Sequence, residues 1–277
     1  MKKNWYRNFL TMLALLALGL LFFFPLYWTF MTSFKTTAQI FVEKPIFFTK
    51  EFYTGNYAEI FQKSHVAQFF INSIIFSGCT TFISLVLATM AGFGFNRYNF
   101  KMKAILQNSA LIVRMIPALV YTIPYYIIYS KLHLLDTLLG LILAYISFAL
   151  PLAIWLAINF FAEIPKEVYE SAEMDGCSEY KLYWYIAVPL VKAGMVVIAI
   201  LVFIGAWNEF GLALVLQASD AKKTLPIGIA SMIQSNKDTP SGSLAAAGMI
   251  AMIPAVILSL TTQKYIVKGT MAGAVKG

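Results

Sequence analysis

Two histidines, His65 and His133, lie far apart in the chain, and neither a His-Glu-x-x-His nor a Gly-x-Ser-x-Gly motif occurs. The residue sets that activate water on zinc or sharpen a serine nucleophile are therefore missing. No Gly-x4-Gly-Lys-Ser/Thr loop offers backbone N–H groups to nucleotide phosphates. Among the carboxylates only Glu209 falls inside a long apolar run, so no acid pair for proton transfer is evident within such runs. The chemistry-bearing residues gather instead between Glu163 and Lys181, with eight charged residues in nineteen positions. Burying them mid-bilayer would cost on the order of 20 kcal/mol at about 2.5 to 3.5 kcal/mol per charge, so the segment belongs in water. Neither catalysis nor a cofactor or metal is expected of this chain.

The elements that hold this segment are apolar. With 60% hydrophobic and 12% charged residues, 277 residues cannot coat a water-soluble globule. A helix needs about 20 residues to cross roughly 30 Å of hydrocarbon. Six runs qualify, near Phe9 to Met31, Ala67 to Phe93, Ala104 to Tyr129, Leu138 to Phe161, Gly194 to Leu216 and Ala245 to Tyr265. The fold class read from this is an all-α membrane protein with six transmembrane helices in a lipid bilayer. The first run follows Lys2, Lys3 and Arg7 but is longer than a signal-peptide core and lacks a small-residue cleavage site, so it reads as an anchor. Basic residues at the N-terminus, in the Arg97 to Lys103 loop and in the C-terminal tail place both termini in the cytoplasm. The formal net charge of +8 is dispersed over flanks and loops, which suits lipid headgroups rather than nucleic acid. Cys79 and Cys177 fall at different depths and form no disulfide framework.

Within the charged segment, Pro165 suits a first helical turn and predicts a short helix over Lys166 to Met174, ending at an Asp175-Gly176 turn. Ser178 is an N-cap for a second helix that Pro189 should interrupt. Ala172 and Gly176 are four residues apart, with Tyr169 three before Ala172. That spacing predicts a small-residue face on which another surface could dock.

The run Glu170-Ser171-Ala172-Glu173-Met174-Asp175-Gly176, then nine residues, then Ile186-Ala187-Val188-Pro189, resembles the EAA loop of binding-protein-dependent ABC importer permeases. The family form is Glu-Ala-Ala, three residues, Gly, nine residues, Ile-x-Leu-Pro, and Ser171 and Val188 depart from it without changing the spacing. The likeness covers nearly the whole chain and is closest to the carbohydrate-importer branch, as in the smaller permease of maltose-type systems. It is carried by Met115-Ile116-Pro117, Ile123-Pro124, Leu135-Asp136-Thr137, Trp207-Asn208-Glu209-Phe210, Thr224 to Gly228 and the ending Gly269 to Gly277. The resemblance implies a type I importer bundle with a cytoplasmic coupling helix, in which Tyr169, Glu170, Ser171, Ala172, Asp175 and Gly176 contact a separate ATPase. It implies a second permease subunit, two nucleotide-binding ATPase subunits, an extracytoplasmic solute-binding protein and a sugar substrate. It also implies that Gln217 to Ser243 contacts the binding protein. Residues 1–66 then form an N-terminal helix with its outer loop, 67–266 the transmembrane core, and 267–277 a cytoplasmic tail, either passive or reaching the ATPase dimer.

In the third run, Gln107, Arg114, Tyr121 and Tyr125 fall on one stripe of a continuous helix, with Pro117 and Pro124 expected to kink it. Either the stripe faces a sugar path, or Arg114 pairs with a partner helix or snorkels. Trp207 reads as an interfacial belt residue, while Asn208 and Glu209 fit either a cavity mouth or that belt. An ion-coupled secondary transporter or channel is the alternative to an ATP-driven importer.

Overall fold

A computed structural model of the chain describes residues 2–235 and 241–274, with side chains described over 5–261 except at 111, 114, 118, 119 and 234–240. In chain order the helices are α1 (Lys2–Ser33), α2 (Thr37–Ile40), α3 (Gly55–Lys63), α4 (Val66–Arg97), α5 (Lys103–Arg114), α6 (Ala118–Lys131) and α7 (Leu138–Ala162). There follow α8 (Lys166–Met174), α9 (Glu179–Leu190), α10 (Lys192–Trp207), α11 (Gly211–Leu216), α12 (Leu225–Ser235) and α13 (Ser241–Ala274). No strand occurs among the described residues. Four described stretches, Trp5–Ser33, Val66–Arg97, Leu138–Ala162 and Ser241–Thr261, are long and apolar enough to cross a membrane, and counting α9 with α10 as one bent span makes five.

The third and fifth apolar runs are not the continuous helices expected. The third is interrupted between α5 and α6, where Pro117 is extended at ψ 135°. Proline supplies no N–H and pushes the residue before it, Ile116, out of helical conformation, so the helix restarts only at Ala118. Pro124, by contrast, is carried inside α6. The single stripe from Gln107 to Tyr125 is therefore split between two helices. In the fifth run α10 stops at Trp207, and the Glu209 carboxylate accepts the Leu212 N–H at 2.6 Å, opening α11 as a cap would. Trp207 itself is 4% exposed, ringed by Phe70 and Phe203, and so is a core residue rather than part of a lipid-facing belt.

Pro189 does not stop α9, which runs on to Leu190. A π turn over Leu182–Ala187 explains this: Val188 N–H bonds the Tyr183 carbonyl, five residues back. The widened turn relieves the clash a proline ring makes with the preceding turn. The chain then bends by 77° into α10.

The chain divides into two compact units, one of Met1–Ala67 with Gly228–Ile253 and one of Gln68–Ile227 with Pro254–Gly277. In the first, buried Asn56 of α3 donates to the carbonyls of Ser33 and Lys35 at 2.9 Å each, and Ser243 donates to Glu59 at 2.7 Å. Lys35 is 2% exposed; its ammonium donates to the Ile46 carbonyl and lies 4.4 Å from the Trp28 ring centroid, and burial pushes its pKa down. In the second unit, Ala149, Ala153 and Ala157 recur every four residues along α7 and are all buried, letting neighbouring backbones approach. One core gathers around these alanines with Phe93, Phe161, Ile198 and Val202, and another around Phe76, Leu141, Leu212 and Ile227.

The second unit also organises the start of the Gln217 to Ser243 segment through side chains that bond its backbone. Asn72 donates to the carbonyls of Ala221 and Lys223, Ser73 accepts the Leu225 N–H, and Gln217 spans Lys222 and Thr224. Asp136, in the left-handed region at φ 56°, accepts the Ala218 and Ser219 N–H groups at 3.0 Å each. Burial raises its carboxyl pKa, but the bonds from Ser219 and Ala218 and the charge of Lys222 outweigh that, and the net result is below the usual value. A depressed carboxyl keeps its stabilising contribution above its unfolded pKa and loses it as pH falls through the folded one. A spin label on Ala221→Cys should therefore stay immobile from pH 8 to about 4, near the ordinary carboxylate range, and loosen below it. Asp136→Ala should mobilise the label at neutral pH, and a label indifferent to both would refute the latch.

Candidate functional site

Helix α8 covers Lys166–Met174, as the sequence predicts, and is followed by a tight turn. Gly176 adopts φ +77°, its N–H bonding the Glu173 carbonyl at 2.9 Å while Cys177 N–H bonds the Ala172 carbonyl at 3.0 Å. This pair of bonds is a Schellman closure, which satisfies helix-end carbonyls and needs a residue tolerant of positive φ. Ser178, extended at ψ 155°, then starts α9 through its own carbonyl, which accepts Leu182 N–H; its side chain makes no capping bond.

The helix is two-faced, and the faces differ from the expectation drawn from small-residue spacing. Tyr169 and Ala172 point into the core of their own unit, 8% and 6% exposed. Lys166, Glu167, Glu170, Ser171, Glu173 and Met174 are exposed, Met174 at 88%. The reason is hydrophobic: Tyr169 meets Phe93, which also meets Phe161 and Tyr183, at centroid distances of 6.2, 6.0 and 5.2 Å. Burial pushes the Tyr169 phenol pKa up, with the nearby Arg97 charge opposing. An open groove beside α8 is lined by Glu167, Ser171, Asp175, Cys177 and Ile186 among others, giving it an acidic rim.

Sequence reasoning used Arg97 only as a topological charge. In the structure its guanidinium, on the last residue of α4, pairs with Glu173 of α8 and with Glu179 of α9, the latter through Nη2 at 2.9 Å and Nε at 3.1 Å. One turn back is Phe93, and one further Thr89, whose hydroxyl meets Tyr183 Oη at 2.9 Å. The four-residue spacing of Thr89, Phe93 and Arg97 at the end of an apolar run was the signal available for this stripe.

The residues assigned to a path are partly brought together. Tyr121 and Tyr125 share α6 and face α7, Tyr121 edge-on to Phe148 at 5.2 Å and Tyr125 bonded to the Ser147 hydroxyl. The side chain of Arg114 lies outside the described residues, so its placement with them has no structural counterpart. Asn208 donates to the Ile204 carbonyl at 2.9 Å, and with Glu209 it serves the break between α10 and α11. The backbone of α13 extends to Ala274, but the side chains of the 267–277 tail lie outside the described residues.

Over residues 84–271 the chain matches the family described as binding-protein-dependent transport system inner membrane component. It is 40% identical over 254 residues to the trehalose transport system permease protein SugB of Mycobacterium tuberculosis, covering 91% of this chain and 92% of that protein. It is 30% identical over 279 residues to the trehalose/maltose transport system permease protein MalG of Thermococcus litoralis, covering all of both. A chain in the crystal structure of a bacterial ABC transporter that imports the acidic polysaccharide alginate superposes with a TM-score of 0.82 at 19% identity, covering 96% of this chain and 98% of that one. The apolar helices, the charged hairpin between α7 and α10 and these similarities lead to one conclusion: the chain belongs to the inner-membrane components of binding-protein-dependent transport systems.

Proposed function

We propose that this chain is a permease subunit forming half of the translocation path of an ATP-driven carbohydrate importer, with α8 as its coupling helix. The observation that carries the coupling role is the outward face of α8, where Glu167, Glu170, Ser171 and Met174 stand exposed on a helix locked by a Schellman turn. A carbohydrate substrate is supported by the relatives, whose names specify trehalose, trehalose/maltose and diacetylchitobiose. Counting α5 with α6 and α10 with α11 as broken spans gives six crossings, both termini cytoplasmic, arranged as a 1–66 extension, a 67–266 core and a 267–277 tail. The partners are an unlike second permease, two ATPase subunits and an extracytoplasmic solute-binding protein. Closure of the ATPase pair displaces α8 and its counterpart and shifts the path between inward-open and outward-open populations. Tyr121 and Tyr125 offer ring faces and hydroxyls to sugar, and Arg114, Asn208 and Glu209 belong to the same proposed path.

The test is reconstitution of the chain with its partner permease, ATPase and binding protein in proteoliposomes, scoring ATP-dependent uptake of labelled trehalose, maltose and diacetylchitobiose. Uptake by the chain alone, driven by an ion gradient, would overturn the reading. Glu170→Lys reverses charge on the exposed face and should lower ATPase retention on the purified permease pair about tenfold, corresponding to about 1.4 kcal/mol. Unchanged retention would overturn the coupling role of the exposed α8 face.

A further inference from the structure

Resting on that coupling role, we propose that Arg97 is a positioning residue that yokes the end of α4 to both legs of the α8–α9 hairpin. The chain reaches the hairpin covalently only from α7, through Pro165, and leaves it only into α10, through Val191. Nothing covalent links it to α4. The connection is made by the Thr89, Phe93 and Arg97 stripe: Phe93 touches both sides of the Gly176 turn through the rings of Tyr169 and Tyr183, and Arg97 ties both sides by charge, through Glu173 and Glu179. A planar guanidinium can serve two carboxylates at once, Glu179 through both Nε and Nη2, which a single ammonium point cannot reproduce. The Arg97 side chain is 24% exposed, so the pairing is less screened than on an open surface. A force applied to the exposed face of α8 therefore reaches α4 as well as the two helices in sequence with the hairpin. Without Arg97 the hairpin would still drive α7 and α10, but would hold α4 through the Phe93 ring contacts and the Thr89 hydroxyl, and α4 would follow less closely.

The experiment uses the complete importer with spin labels on Tyr98→Cys, beside Arg97, and Lys166→Cys, at the start of α8. With Arg97 intact the label separation should keep one narrow distribution in the nucleotide-free and ATP-trapped states. Arg97→Ala should broaden it and shift it between those states, with binding-protein-stimulated ATP hydrolysis falling about tenfold. Arg97→Lys should fall about threefold, a partial rescue that loss of packing volume alone would not give. Should Arg97→Ala fail to accumulate, Glu179→Gln weakens the same contact at nearly constant size and should move both readouts in the same direction. Distances and stimulation unchanged in Arg97→Lys and Glu179→Gln would overturn the yoke. If Arg97 variants are silent while Glu170→Lys releases the ATPase, the yoke fails and the coupling role stands. If Glu170→Lys is silent too, the coupling role fails with it.

Discussion

Replacing Gly176 with valine is expected to leave membrane insertion intact while reducing ATP-dependent uptake by tenfold or more. The cause is conformational rather than steric, since a Cβ built on Gly176 meets nothing within 4 Å, whereas its φ of +77° disfavours L side chains. The left-handed region costs an L-residue roughly 1–2 kcal/mol, and a β-branched residue pays more. That is enough to open a surface turn but small beside the stability of the transmembrane core. Opening the turn breaks the bonds from Gly176 and Cys177 to the end of α8 and lets Glu173 and Glu179 diverge. Gly176→Asn is the control, because asparagine tolerates positive φ and should retain most uptake. Insertion is read from membrane yield, uptake from proteoliposomes. Equal uptake in the valine and asparagine variants would show that the turn geometry does not matter to transport.

The second large effect falls in the core. A Cβ on Gly92 would lie 2.6 Å from Ala157 Cβ, 2.8 Å from the Ala157 carbonyl carbon and 3.0 Å from the Ile158 nitrogen. Two of those atoms are backbone and cannot rotate away, so Gly92→Val must push α4 from α7 and break the bond from Asn96 to the Ile158 carbonyl, now 2.8 Å. Overpacking of this kind costs about 3 kcal/mol, the upper part of the usual range. The variant should lose thermal stability in detergent and accumulate poorly. Gly94, two residues on, has open space at its Cβ, so Gly94→Ala should be tolerated or slightly stabilising. A Gly92→Val protein with unaltered melting behaviour would contradict the close helix contact.

The sequence was most legible where composition alone sets the outcome. Helices α1, α4, α7 and α13 follow from uninterrupted apolar length, and α8 follows from Pro165 at one end and Asp175-Gly176 at the other. It was less legible where a local conflict is resolved by neighbours. Pro117 breaks its run and Pro124 does not, and Pro189 is accommodated by a π turn that no residue pattern announces. Which face of α8 points inward depended on Phe93, some eighty residues earlier, whose ring captures Tyr169. Small-residue spacing identified a close approach at Ala172, and within this chain that approach is to the core around Phe93. Asn208 and Glu209 fit either a cavity mouth or an interfacial belt by sequence, and the sequence did not show that each bonds a backbone group within four residues.

Among the described residues, none in the most apolar window of α1 is buried, whereas its far end is fixed through Trp28, Lys35 and the Asn56 bonds to Ser33 and Lys35. Identity and hydrophobicity are thereby uncoupled along one helix. Within this chain its shaft demands length and oiliness but not order, so scrambling those leucines and phenylalanines should leave the fold of the remaining helices unchanged. The final turn answers to named atoms, and there a single conservative exchange would be heard.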